Sequence, residues 1–315
     1  MHVNNPLYNL KSKKKLADLL FYNKMGFQIE ELSFINNYSV FVIESTQGEK
    51  VKKRIVETPR GMLKVTHDRI FKFLNRVDLP DYLISKKGSS YINNHLKHRE
   101  NSNIYTIDIQ KFYPMCSFYM VYNYFINHMK MSPDVAYIVS NILTIDYDRI
   151  TSNEKVLSYI KEQEEINHII FPTKHIPTGS SVSNLLSFLS YREMFDEIYD
   201  LARLHNIEMT VYVDDITFST DSRFPRAFVS NVKSIITKYG HNYNRKKSKK
   251  LTRDKNKNIT GVIISKSKET KIPNKLHFKY KIAKRDLIKD PSKINEQRLN
   301  GIKEAMNQIN RAAKK

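Results

Sequence analysis

Glu208-Met209-Thr210-Val211-Tyr212-Val213-Asp214-Asp215-Ile216-Thr217-Phe218-Ser219-Thr220 is the stretch on which the reading of this chain turns. Apolar side chains alternate at Met209, Val211 and Val213 and again at Ile216 and Phe218, so 208–213 and 216–220 read as two strands of a hairpin. The two acids then fall at its tip. Adjacent carboxylates at a tight turn repel each other, which raises the cost of ionisation unless a divalent cation offsets it. An ordinary polar turn is the competing reading, because Asp is common in turns.

A second acidic strand bears on that choice. Ile104-Tyr105-Thr106-Ile107-Asp108-Ile109 is apolar and ends in a carboxylate. A long helical pattern, Ser181–Leu204, follows the turn Pro177-Thr178-Gly179; beyond the hairpin come a helix at Arg226–Tyr239 and a β-branched strand at Asn258–Ser265. The order from Ile104 is therefore β-α-β-β-α-β, a split βαβ or ferredoxin-like arrangement, with 109–176 as a long, partly helical insertion. That order sets the 104–108 strand beside the hairpin, so Asp108 approaches Asp214 and three carboxylates meet at one edge. Hard oxygen ligands in that number suit two Mg²⁺ ions about 4 Å apart, which activate an attacking hydroxyl and stabilise a leaving pyrophosphate. The chemistry inferred is in-line phosphoryl transfer. Upstream, 13–25 reads as a short helix, Tyr38–Ser45 and Val51–Glu57 as a hairpin around Gln47-Gly48-Glu49, and Met62–Leu74 as an amphipathic helix opened after Pro59. From about residue 266 the chain is a basic, helical end piece.

Charge narrows the partner. The 315 residues hold 53 Lys and Arg against 32 Asp and Glu, a balance of +21. From His241 to Lys315 there are 23 basic and 6 acidic residues, so most of the excess lies in the last quarter. Such a field attracts a polyanion, and counterion release makes nucleic acid the favoured one. Basic and aromatic residues interleave at His277-Phe278-Lys279-Tyr280, and tryptophan is absent, which argues against a membrane-surface role. No apolar run of about 18 residues occurs and the N-terminus lacks a signal-like pattern, so no membrane partner is expected. A single cysteine, Cys116, excludes a disulfide framework and fits the cytoplasm.

The chain resembles a reverse transcriptase, and more narrowly the bacterial retron type. Asp108-Ile109-Gln110-Lys111-Phe112-Tyr113-Pro114 resembles the first catalytic motif of that family, and Tyr212-Val213-Asp214-Asp215 its Tyr-x-Asp-Asp box. The resemblance implies an α+β right-hand polymerase: fingers over 1–100, a split βαβ palm over 101–265 with a fingers insertion at about 115–176, and a basic, mainly helical thumb over 266–315. It implies Asp108, Asp214 and Asp215 as catalytic residues, with Asp108, Ile109, Asp214 and Asp215 as the set holding two Mg²⁺ ions, for which Mn²⁺ can substitute. Tyr113, five residues past Asp108, stands where the family places an aromatic ring against the sugar of the incoming dNTP, with Phe112 as its core neighbour. Ile176-Pro177-Thr178-Gly179 resembles the Leu-Pro-Gln-Gly box, with Thr178 in place of Gln and Gly179 keeping the turn. Lys53-Arg54 resembles the fingers strand that clamps the triphosphate, and Asn244-Arg245-Lys246-Lys247 the Asn-x-x-Lys motif that sets Lys247 near the departing pyrophosphate.

Two further elements resemble the retron type. Asn94-His95-Leu96-Lys97-His98 is similar to its Asn-Ala-x-x-His element, with His95 in place of Ala, and Ile259-Thr260-Gly261 to its Val-Thr-Gly element. Asn94, His98, Thr260 and Gly261 join Lys246, Lys249 and Lys250 as expected RNA-binding residues. The resemblance implies copying of part of a cognate structured non-coding RNA from a 2′-hydroxyl, a branched RNA–DNA product (msDNA), and an accessory effector protein in anti-phage defence. The alternatives are a group II intron-like or diversity-generating reverse transcriptase, and a non-catalytic RNA-binding protein on a polymerase palm scaffold.

Overall fold

The alternation along 208–220 and the apolar run ending at Asp108 are realised as three neighbouring antiparallel strands in the computed structural model, which describes residues 4–21, 37–47, 50–149, 154–252 and 254–314. In chain order, α1 (Lys13–Leu20) starts on Ser12, whose hydroxyl accepts from the Lys15 N–H, and stops at Phe21, where φ is 67°. The rest of the helix expected over 13–25 lies outside the described residues. Strands β1 (Tyr38–Gln47) and β2 (Lys50–Pro59) pair antiparallel and run beyond their expected ends; Gly48 and Glu49 between them lie outside the described residues. Then come α2 (Gly61–Leu74), α3 (Tyr91–His98) with a Ser90/Asn93 capping box, and β3 (Asn103–Asp108). The insertion holds α4 (Phe112–Met115), α5 (Phe118–Asn123) running into a π-helical turn at Tyr124–His128, α6 (Pro133–Leu143), β4 (Ile145–Asp146), α7 (Glu154–Asn167) and β5 (Lys174–His175). The helix expected over 181–204 is interrupted at Tyr191 into α8 (Ser183–Ser190) and α9 (Arg192–Leu204). The remainder is β6 (Glu208–Tyr212), β7 (Asp215–Thr220), α10 (Phe228–Lys238), β8 (Lys249–Leu251), β9 (Lys257–Ile259), β10 (Val262–Ile264), β11 (Thr270–Lys271), α11 (Asn274–Lys289) and α12 (Lys293–Ala313).

These elements gather into two compact units that interleave along the chain. The first comprises Met1–Leu79, Lys111–Phe195 and Tyr239–His241; the second comprises Pro80–Gln110, Asp196–Lys238 and Asn242–Lys315. In the first unit, Val40, Val42 and Ile55 on the inner face of the β1–β2 hairpin pack on Val156 and Tyr159 of α7. Glu57 is fully buried on the same strand face. It accepts from the Thr178 N–H at 2.8 Å, shares a 3.0 Å hydrogen bond with His175 Nε2 and accepts from the Tyr147 hydroxyl. Burial pushes the Glu57 carboxyl up, but His175 and these hydrogen bonds outweigh it and hold the group below the usual glutamate range.

The second unit is built on a four-stranded sheet in the order β6-β7-β3-β8. Every neighbouring pair is antiparallel, the order and directions of a split βαβ sheet. Ile104, Ile107, Val211, Ile216 and Phe218 are fully buried, and Phe218 meets Phe228 of α10 edge to face at 5.2 Å. The outer edge of β6 is covered: the Val211 N–H donates to the Tyr82 carbonyl at 2.7 Å and the Ile84 N–H to the Val211 carbonyl at 2.8 Å.

One strand differs from expectation. Asn258–Ser265 is not a single strand beside β3, because Thr260 and Gly261 both adopt left-handed backbone (φ 45° and 91°) and turn the chain back on itself. β9 and β10 therefore form a hairpin, which β11 extends to a separate three-stranded sheet. The fourth strand beside β3 is Lys249–Leu251.

Candidate active site

The pairing of β3 with β7 sets Asp108 directly opposite Asp215, one step beyond the buried pair Ile107 and Ile216. The Ile109 N–H donates to the Asp214 carbonyl at 2.8 Å, so Ile109 contributes backbone, and its side chain is buried. Between β6 and β7 the turn is tight enough to force Val213 to φ 61°, and the Ser85 hydroxyl accepts its N–H at 3.2 Å. A left-handed β-branched residue is costly and persists only where neighbours over-determine it. Here two hydrogen bonds, at Val213 and at Asp214, do so.

Asn244 builds the opposite wall. Its N–H donates to the Asp108 carbonyl at 2.8 Å, and its Oδ1 accepts from the Lys246 and Lys247 N–H groups at 3.1 and 3.3 Å. The turn so formed aims the Lys247 ammonium at Asp108, and Nζ pairs with Oδ2 of that buried carboxylate. Burial raises the Asp215 carboxyl to about 7, the charges of Asp214 and Asp108 add to the rise, and Lys247 opposes it. Among the described residues no three His, Cys, Asp or Glu side chains form a preassembled metal cage. The donor set nonetheless suits a divalent cation: the carboxylates are hard oxygen donors, and Asp215, opposite Asp108 in the sheet and next to Asp214, is hard to ionise without added positive charge.

The other expected nucleotide-binding residues lie in the first unit. Lys53 faces α7 and pairs with Glu162 at 2.8 Å, whereas Arg54 is exposed on the opposite face of β2, across from Ile43. Phe112 is buried among the rings of Tyr191, Phe195 and His241, and the next residue, Tyr113, is half-buried. Gly179 donates its N–H to the Glu57 carbonyl at 3.0 Å. The Thr178 hydroxyl spans the same strand, accepting from the Glu57 N–H and donating to the Ile55 carbonyl, each at 3.1 Å.

Among the expected RNA-binding residues, Lys246, Lys249, Lys250 and Gly261 are exposed and Thr260 is half-buried. Asn94 and His98 stand differently: both are fully buried on α3, with their polar atoms taken up by Thr210, Ser219 and Thr260. Unlike the exposed Lys246, Lys249, Lys250 and Gly261, neither side chain reaches the surface in this structure. Their partners Thr210 and Ser219, together with Ser85 and Asn101, escaped the sequence reading. The signal was present in the hydroxyls at Thr210, Thr217 and Ser219, which alternate with the apolar positions of the same strands, lie on the opposite face and need partners once buried.

An antiparallel split βαβ sheet thus carries two carboxylates in register and a third at the adjoining hairpin. The sequence model of the reverse transcriptase (RNA-dependent DNA polymerase) family matches residues 47–271, and the chain belongs to that family. It is 25% identical over 224 residues to the Retron Se72 reverse transcriptase of Salmonella heidelberg, covering 70% of this chain and 52% of that protein. The chain thus spans about half the length of the curated relative it matches.

Proposed function

We propose that this protein is an RNA-directed DNA polymerase of the retron type, which copies part of a cognate structured non-coding RNA into DNA and leaves a branched RNA–DNA product. On this reading the sheet bearing Asp108, Asp214 and Asp215 is the palm, the region up to about residue 100 with the 115–176 insertion supplies the fingers, and 266–315 is the thumb. The observation that supports it best is the register of Asp108 against Asp215 beside Asp214. Asp108, Asp214 and Asp215, with the backbone at Ile109, would hold two Mg²⁺ ions. Bound there, the ions supply charge stabilisation for the attacking and leaving oxygens.

The chain's own residues do the rest. Lys247 Nζ, aimed by the Asn244 turn, supplies charge or a proton to the departing pyrophosphate. Lys53 and Arg54 bind triphosphate oxygens, Arg54 through a guanidinium suited to bidentate contact. The Tyr113 ring excludes a 2′-hydroxyl, and the Gly179 turn allows close backbone approach to nucleotide and template. Lys246, Lys249 and Lys250 meet RNA phosphates. No helix among the described residues is long and apolar enough to cross a membrane. A cytoplasmic setting, a partner effector and a part in anti-phage defence belong to the same proposal.

Primer extension on an RNA template with dNTPs tests it. Asp214→Asn with Asp215→Asn should abolish incorporation while RNA affinity in a gel-shift titration stays within about twofold, because phosphate contacts dominate RNA affinity. Undiminished incorporation by the double variant removes the enzyme reading.

A further inference from the structure

Behind the hairpin that carries Asp214 and Asp215, a row of polar side chains crosses the interior of the second unit. Its contacts are Asn101 Nδ2 to Ser219 Oγ (2.8 Å), Ser219 Oγ to His98 Nδ1 (2.7 Å) and His98 Nε2 to Thr210 Oγ1 (2.6 Å). The row continues from Thr210 Oγ1 to Asn94 Oδ1 (2.5 Å), Asn94 Nδ2 to Thr260 Oγ1 (3.4 Å) and Thr260 Oγ1 to the Tyr91 carbonyl (3.2 Å).

One end fixes the direction of every bond. A backbone carbonyl only accepts, so Thr260 spends its hydroxyl proton on Tyr91 and must accept from the amide of Asn94. That orients the Asn94 carbonyl towards Thr210, whose hydroxyl donates to it. With its proton used, Thr210 accepts from His98, which places the imidazole proton on Nε2 and leaves Nδ1 as an acceptor for the Ser219 hydroxyl. Ser219 then accepts from Asn101. Each of the six contacts pairs a donor with an acceptor in this sense only, and burial holds His98 neutral by pushing it down to about 3.

The placement of the ring gives this network its consequence. Thr210 lies on β6 and Ser219 on β7, the two strands that run into the Tyr212–Asp215 turn. His98 therefore binds both strands of one hairpin at once, from a helix outside the sheet. A slip of one residue between paired strands would move every side chain to the other face, Asp215 included. We propose that His98, oriented by Asn94, is a positioning residue that fixes the β6–β7 register and thereby holds Asp214 and Asp215 against Asp108. It touches no substrate. The effect on turnover rests on the polymerase reading above; the tautomer and the strand clamp do not.

Nitrogen-15 NMR of histidine-labelled full-length protein tests the clamp, with the His98 signal identified by its loss in His98→Gln. The expected signature is a neutral ring protonated on Nε2, and an Nδ1-protonated ring or an imidazolium overturns the assignment. Steady-state extension tests the positioning role. His98→Phe keeps a buried ring but no hydrogen bonds and should lower kcat by about 10²-fold, the scale of a small misplacement of reacting groups. KM for dNTP and RNA affinity should stay within about twofold. His98→Gln, which retains a donor for Thr210, should recover about tenfold of that loss, and Thr210→Val should lower kcat less in the His98→Phe background than in wild type. Full kcat in a folded His98→Phe protein, or weakened RNA binding at unchanged kcat, overturns the proposal. Should His98→Phe not fold, the tautomer and the His98→Gln kinetics decide. Wild-type protein that incorporates no dNTP while showing the Nε2-protonated ring would defeat the polymerase reading and leave the clamp standing.

Discussion

At the scale of single residues, the chain accepts backbone cost where a carboxylate must be placed and uses glycine where two segments touch. Val213 in left-handed backbone costs about 1–2 kcal/mol, and the Ser85 hydroxyl and the Ile109–Asp214 bond hold it there. Gly179 is the second kind. A Cβ built on it would lie 2.7 Å from Thr58 Oγ1 and 2.9 Å from the Glu57 carbonyl oxygen, and that carbonyl cannot yield because it already accepts the Gly179 N–H. Gly179→Ala should therefore destabilise the protein by about 1–3 kcal/mol, as overpacking does. Gly301 is the internal control: inside α12 an added Cβ meets nothing within 4 Å, so Gly301→Ala should stabilise by roughly 1 kcal/mol through helix propensity. Urea midpoints that shift in opposite directions bear this out; a Gly179→Ala midpoint equal to wild type means that the turn has slack.

At the scale of elements, the legible parts of the fold are those whose signal is local. The 208–220 hairpin and the strand from Ile104 to Asp108 follow from alternation and from acids at strand ends, and the approach of Asp108 to the hairpin acids follows from their order, although the residue directly opposite it is Asp215 and not Asp214. The fourth strand does not, because Asn258–Ser265 looks continuous until Thr260 and Gly261 turn it, while Lys249–Leu251 looks like part of a basic tail. Asn94 and His98 are polar residues on a short helix, and sequence does not say that their partners are strand hydroxyls more than a hundred positions away. Thr178 poses the same problem. Against the family pattern it reads as a lost Gln, whereas in this fold its hydroxyl bridges Ile55 and Glu57 of β2, which makes it an anchor for the strand that carries Lys53 and Arg54. Thr178→Val keeps the shape and removes both bonds, leaving a strand N–H without its partner. It should lower the unfolding free energy by about 2 kcal/mol, while Thr178→Ser keeps most of it. Equal urea stability of the Val and Ser variants would show that the bridge contributes nothing.

At the scale of the whole molecule, buried histidines tie the stability of the fold to pH. His67, His98 and His241 are buried and held neutral, with burial lowering them from an ordinary value near 6.5 to about 4, about 3 and about 4. A depressed histidine binds protons in the unfolded chain before it binds them in the native one. Its contribution is therefore complete above about pH 6.5 and drains away as pH falls towards the native value. At pH 5 each has lost about 2 kcal/mol, and three together approach a typical total stability. Asp215 runs the other way, because a raised carboxyl takes its proton first in the folded protein, so it offsets part of the loss between pH 7 and 4. His241 separates these effects. Neither of its ring nitrogens has a hydrogen-bond partner among the described residues, and it sits between the rings of Phe112 and Tyr191. His241→Phe thus removes a titration without removing a bond. Relative to wild type, its unfolding free energy should improve steadily from pH 7 to pH 5, by about 2 kcal/mol over that interval, whatever the offset at neutral pH. Urea titrations at both ends of the range measure it, and parallel curves would mean that the imidazole titrates in the fold as it does in the unfolded chain.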